Sequence, residues 1–499
     1  TNLTEVAITS TSATSIEVNG SSTMTITGGE GEDTVIINGA LVSNLEMSNI
    51  ENLAVSGTTS LDLDNVTVDK VISLDGALTA SNVEDETFVI SGVATPSSPS
   101  PSLTATLKDD SGATDAISVE VLQSATAVTT ALTLNNIETL NIETNVESGV
   151  TGDVEINLTT STTGSANQSL NISGDALAKF ATTAVEATTI DASGNTAGVN
   201  LLLGASDQTI TGTAVDDVFD FRANADANDS VDGGAGEDTV MFDVGVATVS
   251  AETTNIEIAD VKFTAATTFD ASNLTDVGLI QVKGATGTLS NIATGTNIEI
   301  SDDATITLGV KDASTGTADS LDVVLTKAGD QTITSLTAND IETLTLSTSD
   351  TGETTITTLD ATSLTTLDFT GIDDVLKITN ELNNTSGMDI LLGNQSATTT
   401  AVSFTLESAE NVSDTIKFGD ALVGAVEITN FTAGLGDKGD NLDFSAYGVT
   451  QSDDLSITYT GAGATAYATI DITGDDNFGS IKLIGVEDGE LADANFDFA

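Results

Sequence analysis

Residues 224–241 read Asn-Ala-Asp-Ala-Asn-Asp-Ser-Val-Asp and then Gly-Gly-Ala-Gly-Glu-Asp-Thr-Val-Met, which are two copies of one nine-residue unit. The second copy fills every fixed position of the pattern G-G-x-G-x-D-x-U-x, where U is apolar, the calcium-binding repeat of parallel β-rolls. The first copy keeps only Asp229 and Val231, nine residues before Asp238 and Val240. The stretch therefore predicts a short β-roll that binds calcium.

A second complete copy of the pattern occupies residues 28–36, and residues 212–219 look like a degenerate turn that precedes the first stretch. In such repeats the glycines permit a tight turn whose carbonyls face an ion, and the aspartate adds a carboxylate. Calcium takes roughly six to eight oxygens, so stacked turns must share each ion. The alternative is a glycine-rich hairpin loop with a solvated aspartate. The predicted calcium ligands are Gly29, Gly31, Asp33, Asp217, Asn224, Asp226, Asp229, Asp232, Gly234, Gly236 and Asp238.

The charge balance is strongly acidic. The 499 residues contain 76 Asp and Glu against 12 Lys and Arg, a formal charge of -64. This excess repels nucleic acid and anionic membranes and favours cations as partners. It also opposes compaction unless calcium or a saline medium screens it. No apolar run approaches the roughly 20 residues that span a bilayer, so we predict no membrane insertion.

Three residue types, Cys, His and Trp, do not occur in the chain. Without cysteine, stability is expected from metal and repeat stacking and not from disulfides. Without histidine, the usual base near neutral pH, His-containing triads and the H-E-x-x-H zinc site are excluded. Neighbouring acids such as Asp216 and Asp217 are expected by chance among 76 acids. We therefore predict a protein that is not an enzyme and has no catalytic residues.

Short alternating runs of apolar and polar residues dominate the chain, as at Val35 to Ile37 and Val66 to Val68. Turn-forming residues separate these runs. This predicts an all-β fold with parallel β-solenoid or β-roll segments, or with several β domains in series. Asp175 to Phe180 is the one segment whose pattern indicates a short helix.

Two sets of phrases recur along the chain. Lys108 precedes Ile137 by 29 residues and Lys311 precedes Ile341 by 30, with similar sequences between them, which indicates a duplication. The phrases Asn-Ile-Glu and apolar-Asp-Ala-Ser/Thr are each predicted to mark a turn followed by an inward-facing strand of a stacked coil. They begin at Asn49, Asn136, Asn255 and Asn297, and at Ile190, Phe269 and Leu359.

Composition and phrase boundaries predict six segments. Pro96 to Pro101 contains every proline, and proline lacks the N–H that a strand ladder needs. The segments are an N-terminal β domain with one nonapeptide (1–95), a Pro/Ser linker (96–101), a first β repeat domain (102–200), the β-roll (201–250), a second β repeat domain (251–420) and a C-terminal β cap (421–499).

Three further acidic turns lie outside the nonapeptides, at residues 108–115, 311–319 and 437–443. Two interpretations stay open for them. They are additional calcium loops, or they are ordinary turns, since Asp and Asn favour turns through side-chain to backbone bonds with or without metal.

Two full nonapeptides, the recurring phrases, few aromatic residues, no cysteine and an acidic, aromatic C-terminus together resemble the RTX-type surface-layer proteins of Gram-negative bacteria, such as that of Caulobacter. The likeness is strongest over residues 190–242 and 426–499. The resemblance implies export by a type I system that reads a signal in residues 421–499, and folding at the cell surface as calcium binds. Full nonapeptides are fewer here than in RTX toxins, and no helical N-terminal segment suggests an anchor, so self-assembly without direct membrane anchoring is an open alternative. A cell-surface polysaccharide is a candidate partner.

The leading hypothesis is a structural protein that assembles identical acidic subunits into a calcium-dependent extracellular surface layer. One alternative is an extracellular matrix filament joined by strand exchange, with Thr4 to Ile8 as a donated edge. The other is an RTX adhesin, which requires a separate ligand-binding domain.

Overall fold

The computed structural model of the chain describes residues 5–19, 23–38, 45–92, 101–109, 111–112, 114–123, 128–134, 137–146, 150, 153–158, 168–316, 318–349, 352–384, 386–393, 400–408, 413–419, 424–434, 439–447, 449–474 and 478–499. Most of the predicted linker and part of the acidic turn 437–443 lie outside these residues. Within them, every regular element is a β-strand except four short 3-10 helices. The all-β prediction is confirmed.

The strands are short and follow one another closely. In chain order they are β1 (Glu5–Ala7), β2 (Thr14–Asn19), β3 (Met24–Thr27), β4 (Asp33–Asn38), β5 (Leu45–Ser48), β6 (Asn52–Ser56), β7 (Thr59–Asp62), β8 (Lys70–Asp75), β9 (Ala77–Val83), β10 (Thr87–Gly92), β11 (Ser102–Leu107), β12 (Ala116–Gln123), β13 (Val128–Leu134), β14 (Thr139–Val146), β15 (Asp153–Leu158), β16 (Ser169–Gly174), β17 (Leu177–Val185), β18 (Thr189–Asn195), β19 (Val199–Leu203), β20 (Thr209–Thr211), β21 (Val218–Arg222), β22 (Ser230–Asp232), β23 (Thr239–Val244), β24 (Thr248–Val249), β25 (Glu252–Thr254), β26 (Ile258–Phe263), β27 (Thr268–Asp270), β28 (Leu279–Gly284), β29 (Thr286–Ile292), β30 (Asn297–Ile300), β31 (Ala304–Val310), β32 (Ser320–Leu325), β33 (Gln331–Thr337), β34 (Thr343–Thr348), β35 (Glu353–Asp360), β36 (Thr366–Ile372), β37 (Val375–Glu381), β38 (Asp389–Leu392), β39 (Thr400–Thr405), β40 (Thr415–Phe418), β41 (Ala425–Thr429), β42 (Asn441–Asp443), β43 (Leu455–Thr460), β44 (Tyr467–Ile472), β45 (Ile481–Ile484) and β46 (Phe496–Asp497). The 3-10 helices are η1 (Ala313–Thr315), η2 (Ser452–Asp454), η3 (Gly463–Thr465) and η4 (Asp493–Asn495).

The chain forms two compact units. The first unit comprises Thr1–Met241 and Ala251–Ile256, and the second comprises Phe242–Ser250 and Glu257–Ala499. The division falls inside the predicted roll segment 201–250. The six predicted segments stay a prediction.

The first unit is a parallel β-solenoid. Its strands alternate between sheets, so a strand pairs with strands two places away in the chain, except that β22 pairs with β25. In the described residues one sheet runs β2-β4-β6-β8-β10-β12-β14-β16-β18-β20-β22-β25. The opposing strands pair in parallel from β7 through β9 and β11 to β21, and a smaller sheet, β1-β3-β5, lies before them.

The second unit repeats this design. One described sheet runs β24-β27-β29-β31-β33-β35-β37-β39-β41-β45, and its opposing strands pair in parallel from β26 and β28 to β42 and β46. Strand β44 pairs antiparallel with both β43 and β45. The second unit therefore combines a solenoid with a C-terminal antiparallel meander.

Rows of identical apolar character hold the coils together. Val35 is in register with Leu53, Leu53 with Val71, and Val71 with Phe88. All four side chains are buried. Each such side chain contributes about 1.5–3 kcal/mol on burial. Because stacked coils repeat the same inward positions, one period-two pattern builds the whole core.

Side-chain bonds between coils explain the recurring phrases. In Asn-Ile-Glu, Asn255 adopts a left-handed φ of 51°, and its Nδ2 donates to Asp232 Oδ1 of the preceding coil at 2.8 Å. The isoleucine that follows is buried. In apolar-Asp-Ala-Ser, Asp270 Oδ1 accepts from Ser272 N at 2.9 Å and from Asn291 Nδ2 of the next coil at 2.9 Å. Both phrases therefore form corners of the solenoid, which are the turns where the chain passes from a strand of one sheet to a strand of the opposing sheet.

Two local predictions are wrong. Residues 175–180 do not form a helix, because strand β17 begins at Leu177 and its Ala178 and Phe180 pack into the core. Val66 to Val68 is not a strand, since only Val66 forms a single bridge, to Met47. In both places packing between coils decides the backbone conformation.

Candidate functional site

An acidic residue placed two positions before a buried apolar residue is the common feature of the corners. Asp33 begins β4, and its side chain points to the same side as Val35 and Ile37 because strand side chains alternate. Asp238 stands in the same relation to Val240. The aspartate is therefore carried into the coil interior at the point where the chain turns, and both aspartates are buried.

Asp217 and Asp238 are stacked on successive coils of the first unit. The Asp217 N–H donates to Asp238 Oδ1 at 2.8 Å. Asp217 itself accepts from Val199 N at 2.7 Å through Oδ1 and from Thr213 N at 2.6 Å through Oδ2. These carboxylates form a ladder in which each binds the backbone of its own turn or of the coil before it. The turn at 212–219 that was predicted from sequence lies in this ladder.

Glycines bring backbone carbonyls close to the same corner. Gly234 and Gly236 have φ values of 101° and 144°, which side chains rarely allow. A Cβ at Gly234 would lie 1.9 Å from the Thr213 carbonyl oxygen, and one at Gly233 would lie 2.1 Å from that of Asn255. Carboxylate and carbonyl oxygens thus converge where the nonapeptide turns stack.

Asp33 forms a comparable corner near the N-terminus. Its Oδ1 accepts from Thr14 N at 3.1 Å and its Oδ2 from Gly29 N at 2.7 Å, while its own N–H donates to Glu51 Oε2 at 2.6 Å. At Gly29 an added Cβ would meet the Ser10 carbonyl oxygen at 2.1 Å. Gly31 approaches the backbone of the preceding coil as closely.

Asp229 occupies a different corner from Asp238, although the two are nine residues apart. Asp229 precedes β22, whereas Asp217 precedes β21, and these two strands belong to opposing sheets. Buried Asp229 accepts from Gln208 N at 2.9 Å and from Asp226 N at 2.8 Å. The two nonapeptide copies therefore make the two sides of one coil, and the turns that stack are a full coil apart.

Of the remaining predicted ligands, Asn224 and Asp232 bind other partners, and Asp226 binds Asp229 through its backbone N–H. Asn224 is exposed and its Nδ2 donates to the Leu203 carbonyl at 2.9 Å. Exposed Asp226 accepts from Asn228 N at 2.7 Å. Asp232 ends β22 and binds Asn255. The structure thus brings together Asp217, Gly234, Gly236 and Asp238, and separately Asp226 with Asp229, whereas Asp33 with its glycines is a third corner.

The oxygen atoms at the nonapeptide corners are of the type that binds a hard cation such as calcium. Carboxylate and carbonyl oxygens are the ligands that calcium prefers. Burial, the largest effect, raises the pKa of Asp217 and of Asp229 despite the N–H bonds that they accept. A bound cation would offset that cost. Within the described residues no group of three or more acidic side chains is arranged to hold a metal, so carbonyls would have to complete any coordination shell.

Sequence reasoning found only part of a second buried acidic corner, in the second unit: Asp440 lies in the acidic turn 437–443, but Asp414 and its neighbours were not singled out. Asp414 N donates to Asp440 Oδ1 at 3.0 Å, as Asp217 does to Asp238. Glu407 and Asn384 are buried beside Asp414. One signal was present, because Asp414-Thr-Ile repeats the Asp-Thr-Val of both nonapeptides. The glycines that draw attention to the motif do not precede Asp414.

The duplicated acidic turns also use backbone bonds. Asp115 N donates to Glu138 Oε2 at 3.0 Å, and Asp319 N donates to Glu342 Oε2 at 2.8 Å. The two glutamates belong to the phrases at Ile137 and Ile341. The duplication predicted from spacing therefore corresponds to the same intercoil bond in both units. Asp115 Oδ2 and Asp319 Oδ2 are buried without a hydrogen-bond partner, so the calcium loop and the ordinary turn stay alternative predictions for these turns.

Most lysines are paired with acids of a neighbouring coil. These pairs leave no extended basic surface in the described part of the chain. They join Lys283 to Asp260 at 2.5 Å, Lys377 to Glu353 and Lys417 to Asp389 at 2.6 Å, Lys327 to Asp303 at 2.7 Å, Lys482 to Glu427 at 2.9 Å, and Lys179 to Asp153.

One cavity of about 30 Å³ lies inside the first unit, among apolar residues such as Leu134 and Leu170. A more open cleft of about 380 Å³ is lined by Glu84, Lys108 and Asp115. Its lysine bonds to Glu84 at 2.6 Å. The smaller, apolar cavity has room for about one water molecule.

In the described residues no helix is both long enough and apolar enough to cross a membrane.

We compared the chain with models of known protein families and with curated protein sequences. No family model matches it. The comparison with curated proteins also found no match.

Proposed function

We propose that this chain is a structural subunit of a calcium-dependent surface layer outside a Gram-negative cell. The observation that carries the proposal is the buried carboxylate ladder formed by Asp217 and Asp238 at the glycine-lined nonapeptide turns. Calcium would be held by these aspartates with carbonyls of the stacked turns, and by Asp33 at the N-terminal corner. When bound, it supplies positive charge that neutralises buried carboxylates.

The charge of the whole chain supports assembly that depends on cations. At -64, identical subunits repel one another in low salt. Eleven ion pairs already engage basic residues within the described chain. Lysines are therefore poorly placed to neutralise a partner subunit, and divalent cations are the natural bridge. We further propose that residues 421–499 carry a type I secretion signal and that the chain has no enzymatic activity.

A filament is the second candidate, favoured by open strand edges. Among the described residues, β1 pairs with β3 alone and β2 with β4 alone. Each strand has one edge open to a strand from outside the described chain, and edge strands add partners readily. Ile16 and Val18 on β2 are only partly covered, unlike the equivalent positions of β4.

A calcium titration of the full chain tests the proposal. Circular dichroism follows strand content, light scattering follows assembly, and negative-stain microscopy separates sheets from fibres. We expect a chelator to disperse assemblies and lower the β signal, and calcium to restore both. Asp238→Asn should require more calcium than the wild type. Asp69→Asn removes an equal charge from an exposed position in the same unit and should behave as wild type.

Each outcome decides between the candidates. Assemblies that keep their order and their stability in excess chelator would contradict the calcium role. Fibres in place of sheets would select the filament. A monomer that binds cells without ordered assembly would select the adhesin.

A further inference from the structure

Three buried acids and one amide from four segments of the second unit meet at the turn before β40. Asp414, Asp440 and Glu407 are 0%, 2% and 9% exposed, and Asn384 is 6% exposed. Glu407 follows β39, Asp414 precedes β40, Asp440 precedes β42, and Asn384 follows β37. We call these four residues the C-terminal acidic corner.

Some carboxylate oxygens at this corner accept hydrogen bonds and others accept none. Asp440 is fully engaged, accepting from Asp414 N at 3.0 Å and from Thr432 N at 2.7 Å through different oxygens. Asp414 Oδ1 accepts from Met388 N at 2.9 Å and from Asn384 Nδ2 at 3.2 Å. By contrast, Asp414 Oδ2 and Glu407 Oε2 are buried and accept no hydrogen bond.

Glu407 and Asp414 lie within hydrogen-bonding reach of each other. None of the ion pairs of the described residues involves Glu407, Asp414 or Asp440, and nearby Lys417 binds Asp389 instead. Two ionised carboxylates in contact, buried and without a cation, repel strongly. One proton between them removes that repulsion and turns two unsatisfied acceptors into a donor and an acceptor.

We propose that Glu407 and Asp414 share one proton at neutral pH, and that this carboxylic acid–carboxylate pair is a pH-sensitive latch between the end of β39 and the start of β40. Among the described residues, the titratable groups that act on the pair are its two members and Asp440, and the uncharged amide of Asn384 lies beside Asp414. Loss of the shared proton in alkaline solution leaves two buried charges and opens the corner.

The titration behaviour agrees with this geometry. Burial first, and then the charge of Asp414, raises the pKa of Glu407 to about 8. Burial also raises the pKa of Asp414, and it raises that of Asp440 to about 6. The raised pKa values of Glu407 and Asp414 are thus consistent with one proton held by the pair near neutral pH.

A metal ion fits this corner less well than a proton. Unlike the nonapeptide corner, this corner has no glycine among residues 401–413 before Asp414, and its buried oxygens without a hydrogen-bond donor are Asp414 Oδ2, Glu407 Oε2 and Asn384 Oδ1. Three ligands are about half of what calcium requires. The latch does not depend on the surface-layer proposal, because it needs neither calcium nor assembly.

Infrared spectroscopy of the full chain in EDTA tests the latch directly. Acids with ordinary pKa values are ionised at pH 7, so a protonated carboxyl gives a separate carbonyl band. We expect a band equivalent to one carboxylic acid per chain at pH 7, which disappears as the pH rises to about 9. The change Glu407→Gln should remove it. The change Asp488→Asn, at an exposed position of the same unit, should leave it unchanged.

Hydrogen exchange provides a readout on the wild type alone, should Glu407→Gln fail to fold. Protection of residues 413–419, corrected for the intrinsic pH dependence, should fall about tenfold or more between pH 7 and pH 9 and recover on return to pH 7. Absence of the infrared band at pH 7, or its persistence in Glu407→Gln, would overturn the proposal. Calcium that abolishes the band at constant pH would overturn it too, because a cation would then be the natural occupant.

Discussion

The nonapeptide corner of the first unit and the C-terminal acidic corner of the second unit use one backbone device in two settings. In both, the N–H of one aspartate donates to Oδ1 of the aspartate one coil later, at 2.8 Å for Asp217 and 3.0 Å for Asp414. The first corner is lined by glycines at which a side chain would collide with the backbone. The second adds Glu407 and Asn384. The shared device is structural, and the neighbours decide whether a cation or a proton suits the corner.

The largest expected difference between the corners is the stability lost when a glycine is replaced by alanine. Gly234→Ala places a Cβ 1.9 Å from the Thr213 carbonyl oxygen at a φ of 101°, so the coils must separate. Gly439→Ala meets its nearest atom at 3.0 Å with no positive φ. We expect a loss of about 3 kcal/mol or more for Gly234→Ala and under about 1 kcal/mol for Gly439→Ala. Urea unfolding measures both, and equal losses would contradict the comparison.

The second largest difference is expected in the stability gained on calcium binding, which should depend on the first corner and not on the second. With calcium at about 100 times its dissociation constant, one site adds roughly 2.7 kcal/mol to the stability of the folded state. Asp217→Asn should lose much of this calcium-induced gain, whereas Asp414→Asn should keep it. Thermal unfolding with calcium and with EDTA measures the gain for each variant. A gain lost equally in both variants would mean that calcium does not distinguish the corners.

The pH dependence of stability should come from the second corner. A carboxyl whose folded pKa is raised stabilises the fold fully below its unfolded pKa, and that contribution is lost as pH rises to the folded value. For Glu407 the window runs from the ordinary pKa of a glutamate, 4.5, to the raised pKa of about 8. Asp440, with its pKa raised to about 6, contributes only at the lower end.

Between pH 6 and pH 8, wild-type stability should therefore fall by up to about 1.4 kcal/mol per pH unit through this one proton. Glu407→Gln should show a flatter profile in urea unfolding, since its amide does not titrate. The same slope in both proteins would show that the pH dependence arises elsewhere.

The smallest effect is expected at the corner asparagines. Asn255→Ala removes the bond to Asp232 Oδ1 and places alanine at a φ of 51°, which should cost about 1 kcal/mol. Asn255→Gly keeps the backbone conformation and should cost less. The same pair of changes at Asn430, whose φ is 62° in the second unit, provides the matched test. If glycine is no better than alanine at either site, backbone conformation is not what asparagine provides.

Much of the fold was predictable from local pattern. Period-two alternation and turn residues predict short strands, and the phrases Asn-Ile-Glu and Asp-Ala-Ser predict corners of a stacked coil. Such patterns are legible because each coil repeats the same inward positions. The helix predicted at residues 175–180 is wrong because Ala178 and Phe180 enter the core as strand positions. The apolar spacing there fits both periods, and only the adjacent coils decide between them.

The candidate site divides in the same way. The sequence by itself determined where the glycines and aspartates of the nonapeptides lie and how acidic the chain is, because these depend on residue type and short spacing. Only the tertiary structure decided that Asp238 stacks on Asp217, 21 residues earlier, and not on Asp229, nine residues earlier. Only it brought Glu407, Asp414 and Asn384 together. The physical reason is that the coil length sets which carboxylates become neighbours, and this length depends on every turn in the coil: it is 21 residues from Asp217 to Asp238 and 26 from Asp414 to Asp440.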